Sequence, residues 1–231
     1  MKNFGIWNFC RTTGILAKKD LTVEFRRSHE VLSIFAFSVG SVLLASLSLQ
    51  GEETVRSGVV AALLWIILFF AGILIFTTSF TRETDRGTLG GLKTLPCSSL
   101  AILAGKAIYG TILVLLVGSL LVPASVMFLH IELTGRILSF LLIYLLGAIG
   151  LSLAGSFVSG LVMFSEGKTL LLSFLLIPIC IPVLLPSVIG TEKIIRGESI
   201  ADVVPELRLI AAFLFLITAI MAVTFTFLFE E

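Results

Sequence analysis

The chain has 231 residues, of which 57% are hydrophobic and only 13% are charged. A soluble domain has roughly 45–50% apolar and about 25% charged residues, so this composition indicates a protein whose solvent is lipid. The 16 Lys and Arg residues against 15 Asp and Glu residues leave a net charge of +1, which gives no basis for nucleic-acid binding. The three cysteines, Cys10, Cys97 and Cys180, are odd in number and widely spaced, which argues against a disulfide framework or a zinc ribbon.

The N-terminal segment, residues 1–30, is basic and too polar to cross a membrane. Trp7, Phe9, Leu16 and Val23 recur at approximately helical spacing among basic residues. This pattern predicts an amphipathic helix that lies on the membrane surface with its basic side toward anionic headgroups. A solvated basic tail that only sets the topology is the alternative.

Six apolar segments follow, and each is long enough to cross about 30 Å of hydrocarbon as a helix. No composition break separates them, so we predict an all-α integral membrane protein with a single membrane domain over 1–231 and a six-helix bundle over 31–229. The predicted spans are 31–49, 59–80, 101–129, 137–164, 169–189 and 207–229.

The distribution of Lys and Arg predicts the orientation, because short cytoplasmic loops carry the excess of basic residues. One side of the six predicted spans carries 11 basic residues and the other carries five, by counting along the sequence. The side with 11 includes both termini and the loop 81–99, so we predict that these are cytoplasmic.

The fourth span contains a row of small residues four apart, which allows two helices to approach closely. This seam packs the helix inside its own bundle or, as the less favoured alternative, forms a dimer contact. Its members are Ala148, Ser152, Ser156 and Gly160.

The fifth span carries Pro178, Pro182 and Pro186. Each proline removes a backbone donor and clashes with the preceding turn, so we predict a kink or a break toward the outer end of this span. The segment 190–206 that follows is predicted to be an outer loop of mixed charge, with room for a short re-entrant or surface helix.

Two catalytic interpretations fail on their residues. The "EGKT" run at 166–169 resembles the end of a phosphate-binding loop, but Val162 stands where that motif needs glycine. A serine nucleophile at Ser159 would need a positioned base, and the only histidines, His29 and His130, lie far from it in the predicted topology. We therefore expect no ATPase or other catalytic site, and no metal site, in this chain.

The loop 81–99 gathers charges and glycines between two apolar spans: its core reads "FTRETDRGTLGGLKTLP". Glu83 and Arg86 are spaced to pair on a helical turn that Gly87 can end. Leucines three residues apart would give this short element an apolar side, and we predict that it docks into a partner protein. The residues assigned to this coupling loop are Arg82, Glu83, Arg86, Gly87, Leu89, Leu92 and Pro96.

This loop resembles the segment between spans two and three of ABC exporter permeases, where Glu, Gly, Leu, Leu, Pro and a downstream Gly-Lys recur in the same order. Gly105 and Lys106 occupy the Gly-Lys positions. Within that group the closest resemblance is to the haem exporter B family of cytochrome c maturation. Residues 17–38, with Lys-Asp, Glu-x-Arg and Arg-x-x-Glu elements, and residues 166–194, with the prolines, resemble the same family.

The resemblance implies a permease subunit of the ABC exporter type without ATPase activity of its own, in a prokaryotic cytoplasmic membrane. Its implied partners are two ATP-binding subunits, a second copy of itself, a haem-handling membrane protein and a haem chaperone. Haem itself would be exported, or ATP hydrolysis would release the loaded chaperone. An ABC permease for a lipid or a drug and a non-transporting membrane scaffold are the alternatives.

Haem iron takes axial ligands from His, Met, Cys or Tyr. The predicted spans offer six such residues and no histidine, and His130 stands alone at the outer end of the third span. We therefore expect no stably bound haem in this subunit, with haem as its substrate and ATP used only through the partner. The six candidates are Tyr109, Met127, Tyr144, Met163, Cys180 and Met221.

Overall fold

A computed structural model describes residues 6–26, 28–49, 57–79, 87, 91, 98–129, 136–163 and 165–228. Within these ranges the protein is all-helical, and six helices are long and apolar enough to cross a membrane. The prediction of an all-α membrane protein with six spans is confirmed. The helices are α1 (Ile6–Phe25), α2 (Ser28–Ser48), α3 (Ser57–Ser79), α4 (Ser99–Leu129), α5 (Ile137–Val162), α6 (Lys168–Arg196) and α7 (Ile200–Leu228).

The first four spans begin and end within three residues of their predicted bounds, whereas the connection between α6 and α7 differs from the prediction. The predicted outer loop 190–206 is wrong, because only residues 197–199 separate the two helices. Gly197 ends α6 in the left-handed conformation, at φ 94°, and its N–H bonds the carbonyl of Ile194. The Asp202 carboxylate accepts the Ser199 N–H at 3.0 Å, which caps the start of α7. The cap at the end of α6 and the cap at the start of α7 therefore leave a three-residue turn where a 17-residue loop was predicted.

The three prolines of α6 do not break it. The helix continues through Pro178, Pro182 and Pro186 to Arg196. The predicted break is therefore wrong, and a kink stays a prediction. Intervening residues such as Cys180 and Val183 are fully buried against the other helices, so packing holds the segment helical despite the missing donors.

Successive spans run in opposite directions, as polar contacts between helix ends show. The Ser46 hydroxyl at the end of α2 donates to the carbonyl of Phe128 at the end of α4. At the same end, the Arg196 guanidinium of α6 donates to the hydroxyl of Ser57, which begins α3. We call this the distal end. The opposite end, where α1 lies, is the proximal end.

Aromatic side chains fill the core and rest against glycines on neighbouring helices. Trp65 of α3 is 1% exposed and donates its Nε1–H to the Thr191 hydroxyl at 2.9 Å. A Cβ atom added at Gly147 would overlap the Trp65 ring, and one added at Gly118 would overlap Tyr144. Large apolar side chains such as Phe174 and Phe215 instead point outward, as they do on a lipid-facing surface.

Candidate functional site

A polar junction joins α1 to the start of α4 and the end of α3. Its centre is Lys106, whose side chain is 3% exposed. The Lys106 Nζ atom lies 3.3 Å from Asp20 Oδ2 on α1 and donates to the carbonyl oxygen of Ser79 at 3.0 Å. Ser79 is the last residue of α3, and the final carbonyls of a helix lack partners within the helix. Lys106 therefore supplies both a counter-ion to α1 and a cap to α3.

A second contact between α1 and α4 lies beside the ion pair. The Tyr109 hydroxyl donates to Glu24 Oε2 at 2.7 Å, and both residues are almost completely buried. Buried charged groups need such partners, because their desolvation is costly. Asp20 has a second cation close by, since Lys19 Nζ lies 3.1 Å from its other oxygen.

The α1 backbone reaches α4 at Gly105. A Cβ atom added there would lie 3.0 Å from the Leu16 Cβ atom and 3.2 Å from the Thr13 carbonyl oxygen. A side chain at this position would therefore push α1 away. The Thr13 and Ser79 hydroxyls are buried at this junction and have no hydrogen-bond partner among the residues that the structure describes. Gly105, Lys106 and Tyr109 together form one face of α4 that receives α1.

This docking gives α1 two differently charged sides. Both of its acidic residues, Asp20 and Glu24, turn toward the bundle. Leu16, one of the four apolar residues of the predicted amphipathic pattern, is also buried there, whereas Phe9 and Val23 are half-buried. The predicted helix is present, and its position on a membrane surface stays a prediction. Its outward side carries the basic residues Arg11, Lys18, Lys19 and Arg26.

The predicted coupling loop lies mostly outside the described residues. Of its seven assigned residues, only Gly87 is described, and its φ of 66° is the left-handed conformation that glycine adopts most easily. The other six, Arg82, Glu83, Arg86, Leu89, Leu92 and Pro96, lie outside the described residues, and the coupling role of all seven stays a prediction. By chain connectivity the loop follows the end of α3 and leads into α4. Lys106, in the second turn of α4, bonds the last residue of α3 and so joins the two helices that the loop connects.

The small-residue seam of α5 faces the interior of this chain. Ala148, Ser152 and Ser156 have no exposed surface, and Gly160 is buried too. Phe76 of α3 packs close to Gly155 on the neighbouring face. The chain's own helices therefore cover the seam.

A second polar cluster lies at the distal end, on the α6–α7 hairpin. Lys193 Nζ lies 2.9 Å from Glu206 Oε1 and donates to the Asp202 carbonyl at 2.8 Å. Arg196 pairs with Glu192 one helical turn earlier. Because α7 begins before the predicted span, it includes Glu206, which is 8% exposed and whose Oε2 has no hydrogen-bond partner among the described residues. The hairpin itself thus supplies the partners of Lys193, Arg196 and one oxygen of Glu206.

The residues able to ligate haem iron are scattered through the bundle. The Tyr109 and Tyr144 hydroxyls already donate hydrogen bonds, to Glu24 and to the Val114 carbonyl respectively. Met163, Cys180 and Met221 are buried in the core, and Met127 is 71% exposed. His130 lies outside the described residues. In the described ranges no three His, Cys, Asp or Glu side chains are grouped so that they could hold a metal ion.

Sequence reasoning missed the junction, although its residues lie in the segments that carry the family resemblance. Asp20 belongs to the Lys-Asp element, Glu24 to the Glu-x-Arg element and Lys106 to the Gly-Lys element. The available signal was that α1 carries two acids on one helical face, four residues apart, in an otherwise basic segment.

Comparison with known proteins places these observations in one family. A family model described as CcmB protein matches residues 12–228, which include every helix except the first turns of α1. No curated protein matches the chain.

Proposed function

This chain belongs to the CcmB protein family, and on that premise we propose that it couples ATP hydrolysis by a partner subunit to the work of the haem exporter. Membership makes it a multi-pass membrane protein and a transporter component of the haem exporter for cytochrome c maturation. The exporter is a multi-subunit complex, so this chain works with other membrane proteins. The family match carries the proposal, because it extends through the loop 81–99 and the junction at Lys106.

The loop 81–99 is the proposed contact with the ATP-binding subunit. Arg82 and Arg86 would meet acidic groups on that subunit, while Leu89 and Leu92 would fill an apolar groove. Both ends of the loop enter long helices of the bundle, and the first turns of α4 are fixed to the end of α3 through Lys106 and Ser79. A displacement of the loop would therefore reach two transmembrane helices directly.

The proposed location is the cytoplasmic membrane of a prokaryotic cell, with the proximal end of the bundle facing the cytoplasm. The 11-to-5 distribution of basic residues supports this orientation. The proposed assembly contains two copies of this chain and two ATP-binding subunits, with a haem-handling membrane protein and a haem chaperone on the outer side. Haem is the substrate of the assembly and is not held stably by this chain.

Co-purification with the ATP-binding subunit tests the coupling role. An apolar anchor at an interface contributes about 2 kcal/mol or more when truncated, which corresponds to roughly a 30-fold loss of affinity. Leu89→Asp should therefore reduce recovery of the ATP-binding subunit or uncouple its ATPase activity, while the permease stays inserted in the membrane. Glu83→Lys should weaken the same contact.

The same charge reversal at the distal end, Glu198→Lys, is the matched control and should leave the complex intact. Full assembly and full cytochrome c production in both Leu89→Asp and Glu83→Lys would show that the loop does not dock the ATP-binding subunit.

A further inference from the structure

Lys106 stands at a point where three separate parts of the chain meet. It belongs to α4, it pairs with Asp20 of α1 at 3.3 Å, and it bonds the last residue of α3 at 3.0 Å. The loop 81–99 leaves from that last residue of α3 and returns to α4 seven residues before Lys106. One ammonium group therefore ties the base of the loop to the N-terminal helix.

The neighbouring positions of α4 strengthen the same connection. Gly105 lets the α1 backbone approach closely, and Tyr109 holds Glu24 at 2.7 Å. Apolar contact, a salt bridge and a charged hydrogen bond thus act together on α1 over little more than one turn of α4. Such a combination fixes both the distance and the orientation of two helices.

A buried salt bridge adds little net stability to the contact between two helices, because desolvation of the charges opposes their attraction. Well-packed apolar residues would hold α1 equally well. What the charged group adds is directionality: only a long donor on α4 reaches both the α1 carboxylate and the α3 carbonyl. The geometry is therefore suited to keeping three segments in one fixed relation.

We propose that Lys106 is a positioning residue that joins α1, the end of α3 and the start of α4 into one unit, so that movement of the loop 81–99 is transmitted to α1. This role rests on the ATPase coupling proposed above. It makes α1 a moving part of the transport cycle, in contact with the membrane surface through its basic side. It also explains why the first transmembrane span, α2, which follows α1 directly, would respond to events in the loop.

Lys106→Met tests the proposal in the assembled complex. Methionine keeps the length and the apolar stem of the side chain, and Asp20 retains Lys19 as a cation, so the chain should insert and assemble normally. ATPase activity of the purified complex should persist, whereas c-type cytochrome production in a complemented null strain should fall about tenfold or more, within the range of coupling between sites. Lys193→Met removes the distal lysine in the same way and should leave the ratio of cytochrome production to ATPase activity unchanged.

A charge exchange, Asp20→Lys with Lys106→Asp, supplies the second measurement. The double variant should recover more cytochrome production than Lys106→Asp alone, because the attraction between α1 and α4 is restored. Unchanged cytochrome production in Lys106→Met would overturn the proposal. So would a loss that merely follows a loss of protein from the membrane, since the pair would then be structural only.

Failure of the function proposed above has a different outcome. If the unmodified chain neither co-purifies with an ATP-binding subunit nor supports ATP-dependent cytochrome production, the coupling role itself is wrong. If the unmodified chain does both and Lys106→Met retains full coupling, only the role of Lys106 is refuted.

Discussion

Gly105→Val should loosen α1 from the bundle. The Cβ atom alone would lie 3.0 Å from the Leu16 Cβ atom and 3.2 Å from the Thr13 carbonyl oxygen. Carbon atoms in contact prefer about 3.5–4.0 Å, so α1 must retreat by about half an ångström or more before the two extra methyl groups are accommodated. Because one obstacle is backbone, a rotamer change cannot relieve it. Overpacking of this kind costs about 1–3 kcal/mol, which raises the detached fraction of α1 by roughly 5–150-fold.

Thiol labelling at Thr13 measures that fraction. Thr13 is 5% exposed and its hydroxyl has no hydrogen-bond partner within the described part of the chain, so Thr13→Cys removes no polar contact seen there. The background carries Cys10→Ser and Cys97→Ser and keeps Cys180, which is fully buried. The labelling rate at position 13 should rise about tenfold with Gly105→Val, within the range calculated above.

Gly14→Val is the matched control, because no atom of the described residues lies within 4 Å of a Cβ atom at Gly14. It should leave the labelling rate unchanged. Equal labelling rates in the Gly105→Val protein and in the unmodified background would show that α1 is not held at Gly105. The claim that α1 docks on α4 through close approach at this glycine would then be wrong.

Three further predictions concern topology, packing and haem. Cys97 should resist an impermeant thiol reagent in intact cells and react after permeabilisation; labelling from outside would contradict the cytoplasmic position of the loop. Gly118→Val should lower the amount of protein in the membrane, because its side chain overlaps Tyr144 and displaces the hydroxyl from the Val114 carbonyl, whereas Gly40→Val, with open space around it, should not. The purified chain, free of partners, should show no stoichiometric haem spectrum, and His130→Ala should support nearly normal cytochrome production; a stoichiometric spectrum abolished by that substitution would refute this.

Hydropathy alone was sufficient to predict the six spans, because a bilayer demands about 20 apolar residues from each helix regardless of what it packs against. The ends of α6 and α7 were mispredicted for the same reason. Residues 190–206 carry six charged side chains, and their average polarity resembles that of a loop. The helices continue because Lys193 contacts both the Glu206 carboxylate and the Asp202 backbone carbonyl, and because Ser199 donates to the Asp202 carboxylate. Gly197 then turns the chain within three residues. Average polarity cannot reveal whether charges are partnered.

The junction could not be predicted from periodicity, because it depends on where α1 docks. The Lys106–Asp20 contact joins residues 86 positions apart. The sequence pattern correctly indicated a helix at the N-terminus, but the prediction concerned its basic side and the membrane surface and named no contact with the bundle. In the structure the attachment side also holds two carboxylates, Asp20 and Glu24, which a lysine and a tyrosine from another helix contact. The two acids on one face of α1 indicate that a partner exists, but they do not identify a lysine 86 residues away.

The position of the junction accounts for the kind of resemblance this chain shows to its family. An enzyme family is recognised by a compact set of reacting residues, whereas the resemblance here consists of short elements spread over residues 17–38, 80–106 and 166–194. The structure brings the first element, through Asp20 and Glu24, against the end of the second, through Gly105 and Lys106. Scattered elements that meet at one interface suit a protein whose task is to transmit movement between segments. Two of the sequence elements that carry the family resemblance therefore meet where the N-terminal helix contacts the bundle, beside the point where the chain leaves α3 for the loop 81–99.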